Sequence, residues 1–253
     1  MLTRDILIYF ALKYRGSWED IYRAILSKEK LNAEDVETLL SERNASALTI
    51  LDEDYPACMK NIFHPPFVLF FKGNRALLKK EIVSVVGSRS VSRYGFEATR
   101  KIVRGLKEKN CAVCSGMARG VDKAAHEEAL KNGIPTIGVL PCGIERCYPK
   151  ENASLYREVE ERGLLISEYP GSVSVAKERF SFRNRLIAAL GFALVVAHIR
   201  DRSGTAVTVR YALEYGKDIY CVPYPIEEDC CCNRLIKDGA YLIDEGEDIF
   251  PFR

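Results

Sequence analysis

Arginine set among small residues is the recurring chemical signal of this chain. The run VVGSRSVSRYG, residues 85–95, leaves a short apolar stretch at Val85-Val86, passes through Gly87, Ser88 and Arg89, and reaches Gly95 before a helical pattern. A backbone turning from a strand into a helix presents free N–H groups to an anion, and the helix dipole favours negative charge there. Arginine adds a planar fork that matches phosphate oxygens. The run is neither G-x-G-x-x-G nor G-x-x-x-x-G-K-[ST], so no dinucleotide or P-loop cofactor is expected. It suits phosphate held by arginine forks rather than by a glycine cradle. A strand-to-helix turn needs glycine in any case, so the argument depends on several such loops sharing one rim.

The stretch KERFSFRNR, residues 177–185, adds a second ingredient. Phe180 and Phe182 are interleaved with Lys177, Arg179, Arg183 and Arg185. Aromatic platforms stack bases while cations hold the backbone, which is the sequence-tolerant way to bind single-stranded nucleic acid. Alternate residues of such a run can face the core, so one phenylalanine is expected exposed and one buried.

Other chemistries find less support. Cys111 and Cys114 fall in a predicted strand, where residues three apart point to opposite faces and cannot clasp one ion. The adjacent Cys230, Cys231 and Cys232 do not make a C-x-x-C knuckle. Buried small hydrophobes are the better reading. His64, His126 and His198 lack ligand-like spacing, and there is no G-x-S-x-G elbow. No metal site and no catalytic group are expected.

The elements that must position these loops follow from hydrophobic rhythm. Apolar runs occur at 82–86, 111–114, 134–140, 164–169, 192–197, 218–223 and 241–243, and between most of them lies a helical pattern. GFEATRKIVRGLKEKN puts Phe96, Ile102, Val103 and Leu106 on one face, while Gly133 and Gly216 stand as C-caps of two further helices. Strands alternating with helices predict βαβ units, a mostly parallel sheet and helices on both faces. In such sheets ligands bind beyond the carboxyl ends of the strands. Those ends carry GSRSVSRYG, SGMARGVD, PCGIERCYPKEN, YPGSVSVAKERFSFRNR, HIRDRSGT and PYPIEEDCCCNR. Residues 1–45 predict short helices, with Ser17 and Asn32 as N-caps, in a small module that leans on the rest. Residues 46–75, broken by Pro56, Pro65 and Pro66 but holding the strand-like FVLFF, predict a connector that docks onto a core domain spanning 76–253.

A chain of 253 residues suffices for one α/β domain with a small attachment. Its composition, 47% hydrophobic and 28% charged, is that of an ordinary globular protein. A net charge of only +2 provides no global field for nucleic acid, so any basic footprint is local. No apolar run reaches the roughly 20 residues of a membrane span. The N-terminus lacks the features of a secretory signal. Nine cysteines without an export signal predict reduced thiols in the cytoplasm.

In this order and spacing, GSRSVSRYG, SGMARGVDKAAHEEAL, CYPKEN, FSFRNRLIAAL, RSGTAVTVRYALEYG and CNRLIKDGA closely resemble the DprA/Smf family of bacterial DNA-processing proteins. The resemblance covers roughly residues 50–250. It implies an extended Rossmann-like domain that binds single-stranded DNA, forms homodimers and helps load the RecA recombinase, outside any known enzyme class. Residues 1–45 would match the small helical, SAM-like N-terminal domain of many members. By position, the family's DNA pocket maps onto Gly87, Ser88, Arg89, Lys150, Lys177, Phe180, Arg183 and Arg185. The sequence departs at Cys231-Cys232-Asn233, where the family reads G-C-N, and at FSFRNR, where F-P-x-R-N-R is usual. The sequence ends at Arg253, before the winged-helix tail of many members. Homodimerisation also suits the segment from Tyr211 to Tyr241, whose aromatics and cysteines look exposed.

The rival is a nucleotide-binding protein of the same superfamily, enzyme or sensor. The "lonely guy" phosphoribohydrolases carry P-G-G-x-G-T-x-x-E, and RSGTAVT aligns Gly204-Thr205 with that G-T. The glutamate position then holds Thr208, which has no carboxylate for general acid–base work at a glycosidic bond.

Overall fold

Runs of β-branched and small apolar residues, too short for helices and buried on both sides, form the middle of a nine-stranded sheet in the computed structural model, which describes residues 2–250. In chain order the elements are α1 (Thr3–Lys13), α2 (Trp18–Leu26), α3 (Ala33–Ser41), β1 (Ser46–Thr49), α4 (Ala57–Lys60), β2 (Val68–Gly73), β3 (Glu81–Gly87), α5 (Arg93–Gly105), β4 (Cys111–Ser115) and α6 (Val121–Lys131). There follow β5 (Thr136–Val139), α7 (Ala153–Arg162), β6 (Leu164–Ser167), α8 (Lys177–Leu190), β7 (Ala193–His198), α9 (Gly204–Glu214), β8 (Asp218–Cys221), α10 (Cys232–Lys237) and β9 (Tyr241–Leu242). Each of the seven apolar runs from residue 82 onward thus supplies a strand, and Gly133 and Gly216 end α6 and α9 with φ of 72° and 64°.

The strand order is β1-β2-β6-β5-β4-β3-β7-β8-β9. The strands from β6 to β9 are mutually parallel, and β1 and β2 run antiparallel at one end. Helices α5, α6 and α7 form a layer on one face, and α8 and α9 pack together on the other. A parallel strand covered on both faces reads as an unbroken apolar run, as Ile82 to Val86 does. From β3 the chain winds one way through β4 to β6, and α8 carries it back to start β7 on the other side of β3. The crevice between the carboxyl ends of β3 and β7 is therefore the switch point, where doubly wound folds place ligands.

The N-terminal helices do not stand apart. Leu7, Ile8, Phe10, Ile21 and Val36 share a core with Val68, Phe70, Leu140, Leu155 and Leu165. Asn32 caps α3 by accepting from the Glu34 amide at 2.9 Å, and Ser17 precedes α2 but bonds Asp20 through its hydroxyl instead. Residues 46–75 join the sheet itself, with β2 pairing to β1 on one side and β6 on the other.

Two expectations are corrected. The stretch from Lys177 is helix α8 from its first residue, not loop. Positions 180 and 182 are then about 200° apart around a helix rather than alternating across a strand, and both phenylalanines are half-buried on different sides. The aromatics of the 211–241 segment lie mostly inside: Tyr211, Tyr220 and Tyr224 are buried, as are Cys221 and Cys232. They belong to the core under α9 and β8, and only Leu213, Ile226, Tyr241 and Leu242 stay exposed there.

Candidate nucleic-acid interface

The turn after β3 is built by close packing before it is built for a ligand. A Cβ on Gly87 would stand 2.4 Å from a methyl of Val121, and one on Gly120 would stand 2.3 Å from the Ser88 carbonyl oxygen. These glycines let α6 press against the loop. Ser88 is held from both ends: its amide donates to the His198 carbonyl at 3.1 Å, and its hydroxyl meets His198 Nδ1 at 2.7 Å. Ser92 starts α5 by accepting from the Gly95 amide at 3.3 Å and donates to Glu228 at 2.8 Å. Between these fixed points Arg89 reaches into solvent.

The switch-point crevice encloses about 740 Å³. Gly87, Ser88, Arg89 and Ser90 form one wall; Lys177, Phe180, Ser181, Arg183 and Asn184 of α8 form another. Arg200, Arg202, Ser203, Gly204, Thr205 and Thr208 close the third, and Asp122 lies at the floor. Arg89 places its guanidinium 4.8 Å from the centre of the Phe180 ring, and Tyr148 meets that ring edge-on at 5.7 Å. An aromatic ring thus stands at the mouth of the crevice with a cation beside it, which is the pairing a stacked base and its phosphate require. Lys150 is exposed two residues after Tyr148 and does not line the crevice.

The other two sequence-predicted arginines are engaged within the protein. Arg183 is buried and lines the crevice, but donates to the carbonyls of Gly116 at 2.8 Å and Val139, and to Asn184 Oδ1 at 3.1 Å. Burial pulls its pKa down, and the opposite charge of Asp122 resists. Burial likewise pushes the Asp122 carboxyl up, against the pull of Arg183 and a 3.3 Å bond from the Ala118 amide. Arg185 is fully buried. Its two Nη atoms donate to Glu168 at 2.6 and 2.5 Å, to the Phe182 carbonyl at 2.9 Å and to the His64 carbonyl at 2.8 Å. It braces α8 against the 61–67 segment and offers nothing to a ligand. Its neighbour Phe182 lies under that guanidinium at 3.7 Å.

Sequence reasoning passed over the crevice residues Asn184, Arg200 and Arg202, and the carboxylate of Asp122. The loop HIRDRSGT carried the signal, because it combines arginines with a helix start after a strand, but only Gly204 and Thr205 were singled out there, as the counterpart of the phosphoribohydrolase G-T, and its arginines were not. Asn184 lies inside RNR, and its amide donates to the Gly204 carbonyl at 3.1 Å, tying α8 to α9. Thr208 is buried and donates back to Gly204 at 3.4 Å. Among the described residues no cluster of three or more His, Cys, Asp or Glu side chains suits a metal ion, and no helix is long and apolar enough to cross a membrane.

A doubly wound sheet with an arginine-walled crevice at its switch point defines a Rossmann-like α/β protein. Within that class, the family model for DNA recombination-mediator protein A matches residues 46–252, and the chain belongs to this family. The DNA processing protein DprA of Streptococcus pneumoniae is 39% identical over 205 residues, covering 80% of this chain and 72% of that protein. The X-ray structure of DprA from the same organism superposes with a TM-score of 0.83 at 33% identity, over 98% of this chain and 93% of that one. A Helicobacter pylori DprA structure, described as showing a unique single-stranded DNA binding mode, superposes with a TM-score of 0.75 at 29% identity, over 83% of this chain and 95% of that one.

Proposed function

We propose that this protein binds single-stranded DNA with little sequence preference, shields incoming strands, and promotes RecA loading in DNA uptake and recombination, acting as a cytoplasmic homodimer. The observation that carries the reading is the half-buried Phe180 at the crevice mouth with the Arg89 guanidinium 4.8 Å from its centre. The strand runs along the rim formed by 87–95, 148–152 and 177–185. Arg89, Lys177 and Lys150 meet phosphates, Gly87 and Ser88 lie beside them, and Phe180 stacks on a base. Arg183 shapes the wall from inside. Duplex DNA binds worse because its bases cannot leave the stack to reach the ring.

A salt titration on a short oligothymidine tests this. Each phosphate contact contributes a slope of about 0.7 on a log–log plot for single strands. Arg89→Ala and Lys177→Ala each weaken binding to every sequence and flatten the slope by about one such contact. Phe180→Ala costs on the order of 1–3 kcal/mol with the slope nearly unchanged. Wild-type binding by both cation variants would falsify the rim as the DNA site.

The crevice is a binding site and not a phosphoribohydrolase centre in this reading. Thr208 holds the position where that chemistry needs a carboxylate, and the only acid lining the cavity among the described residues, Asp122, is buried under the opposing charge of Arg183. Incubation with nucleoside monophosphates is expected to release no free base. Release that falls on substitution of crevice residues overturns this.

A further inference from the structure

Ser88 belongs both to the crevice and to the sheet behind it. It is half-buried and lines the crevice, and its hydroxyl meets His198 Nδ1 at 2.7 Å. We propose that His198 is a positioning residue for the DNA site: hydrogen on its Nδ1 frees the Ser88 hydroxyl to donate to a strand phosphate, so strand binding takes up a proton at His198. The inference rests on the rim reading and adds a step that the rim alone does not require.

The sheet is irregular at this point. The β3–β7 ladder pairs Val86 with Val196 and then skips Ala197, so that Gly87 pairs with His198. A bulge of this kind re-aims a side chain. The carbonyl of the skipped Ala197 accepts from the Tyr224 hydroxyl at 2.7 Å, and the Tyr224 ring stands edge-on to the imidazole at 5.3 Å. Asn233 fixes Tyr224 in turn, accepting from its amide at 2.9 Å and donating to its carbonyl at 2.7 Å. The Ser88 amide donates to the His198 carbonyl at 3.1 Å, which holds the two residues in register. His198 itself is buried, so its ring is held where it meets the Ser88 hydroxyl.

A phosphate oxygen only accepts, so the Ser88 hydroxyl can meet it only by donating. Its proton is available when Nδ1 donates to the Ser88 oxygen, and is engaged when a bare Nδ1 accepts from it. In the free protein burial and then Arg200 hold the imidazole below its ordinary pKa, while Glu228 and Asp229 pull the other way. Those charges have partners of their own: Arg200 reaches Asp229 at 3.5 Å, and Glu228 accepts from the Ser92 hydroxyl at 2.8 Å. Burial keeps the Tyr224 phenol protonated. A hydrogen bond with Cys232, and then burial, does the same for the Cys230 thiol, and one with Cys221 for the Cys232 thiol. On the crevice side stand Arg89 and Arg183, with Asp122 as the acid. A strand phosphate at Ser88 adds a negative charge. It favours hydrogen on Nδ1 through the serine and the imidazolium through its charge, and both raise the imidazole pKa.

Calorimetry of a short oligothymidine with the full-length chain, run in two buffers of different ionisation enthalpy, counts the protons that accompany binding. The expected result is net uptake of a fraction of one proton. Affinity should also rise about threefold to tenfold, the worth of one hydrogen bond, as pH falls from about 7.5 to about 5.5. Ser88→Ala removes the uptake and the pH dependence together, while the salt slope due to Arg89 stays. His198→Asn puts an amide nitrogen that always carries hydrogen near the place of Nδ1, so it binds without the pH dependence and more tightly than His198→Ala at both pH values. A merely structural role for His198 would weaken both variants alike and move no proton. Wild-type binding that keeps the Arg89 salt slope but takes up no proton overturns the inference and leaves the rim standing. Uptake that survives in Ser88→Ala overturns it as well, because the proton then belongs to another group. A salt slope indifferent to Arg89→Ala removes the rim reading, and this inference with it.

Discussion

Arg89 and Arg185 carry the same group and do opposite work. Arg89 stands in solvent beside Phe180 and is free to meet a phosphate. Arg185 is sealed inside, with its fork closed on Glu168. Removing one partner of a buried ion pair leaves an uncompensated charge and typically costs about 3–5 kcal/mol. Arg185→Ala is therefore expected to lower the urea midpoint sharply. The folded fraction that remains should keep the wild-type salt slope on oligothymidine. A slope reduced as in Arg89→Ala, with stability intact, would return Arg185 to the DNA surface. The RNR motif shows why a sequence reading cannot separate these roles. Charged residues two apart look alike in sequence, and only the helical turn decides that residue 185 meets Glu168 and the His64 carbonyl while 183 lines the crevice.

At the scale of elements, hydrophobic rhythm located every strand from β3 to β9, because a buried parallel strand is a short apolar run with little alternative. Helix α8 was less legible. Its first turn has no capping side chain and mixes aromatic with charged residues, so its amphipathic period is weak. Residues 46–75 were read as a connector in which FVLFF alone looked strand-like; that run is β2, while β1 and the pairing of β2 with β6, distant in sequence, were not legible. The α6–β5 contact makes a separate prediction. His126 is fully buried, bonded through Nδ1 to the Thr136 hydroxyl at 2.7 Å, and burial pulls its pKa down to about 3. The unfolded chain takes a proton below about 6.5 that the folded protein refuses down to about 3. Stability contributed by this site is thus complete above 6.5 and is lost as pH falls toward 3. Between pH 7 and pH 5 the loss is up to about 2 kcal/mol. His64 and His198 are shifted in the same direction by burial, so the His126→Asn variant isolates one site. Urea midpoints of wild type and variant at the two pH values measure it, and an equal drop in both removes His126 as a cause.

For the molecule as a whole, the open question is what meets the β9 edge of the sheet. Strand β1 ends the sheet on one side, where α1 packs against it. At the other end β9 pairs, among the described residues, only with β8, leaving one row of its backbone groups without a strand there. Beside that free edge Tyr241 and Leu242 are 56% and 53% exposed. An uncovered edge with apolar side chains is a template for another chain, and proteins usually blunt it with charge, proline or a covering element. Two copies meeting edge to edge would bury both residues isologously, as a two-fold dimer requires. A second copy also doubles the number of cationic crevices available to one strand, raising its avidity without a new contact. The prediction is a dimer by light scattering at tens of micromolar, and a monomer for the double variant Tyr241→Lys, Leu242→Lys, which places charge on the edge. The double variant should keep the phosphate contacts of each crevice, and so the salt slope on a strand too short to bridge two. It should lose affinity on a long strand. A wild-type monomer at those concentrations removes the homodimer, and a dimer that survives both lysines moves the interface away from β9.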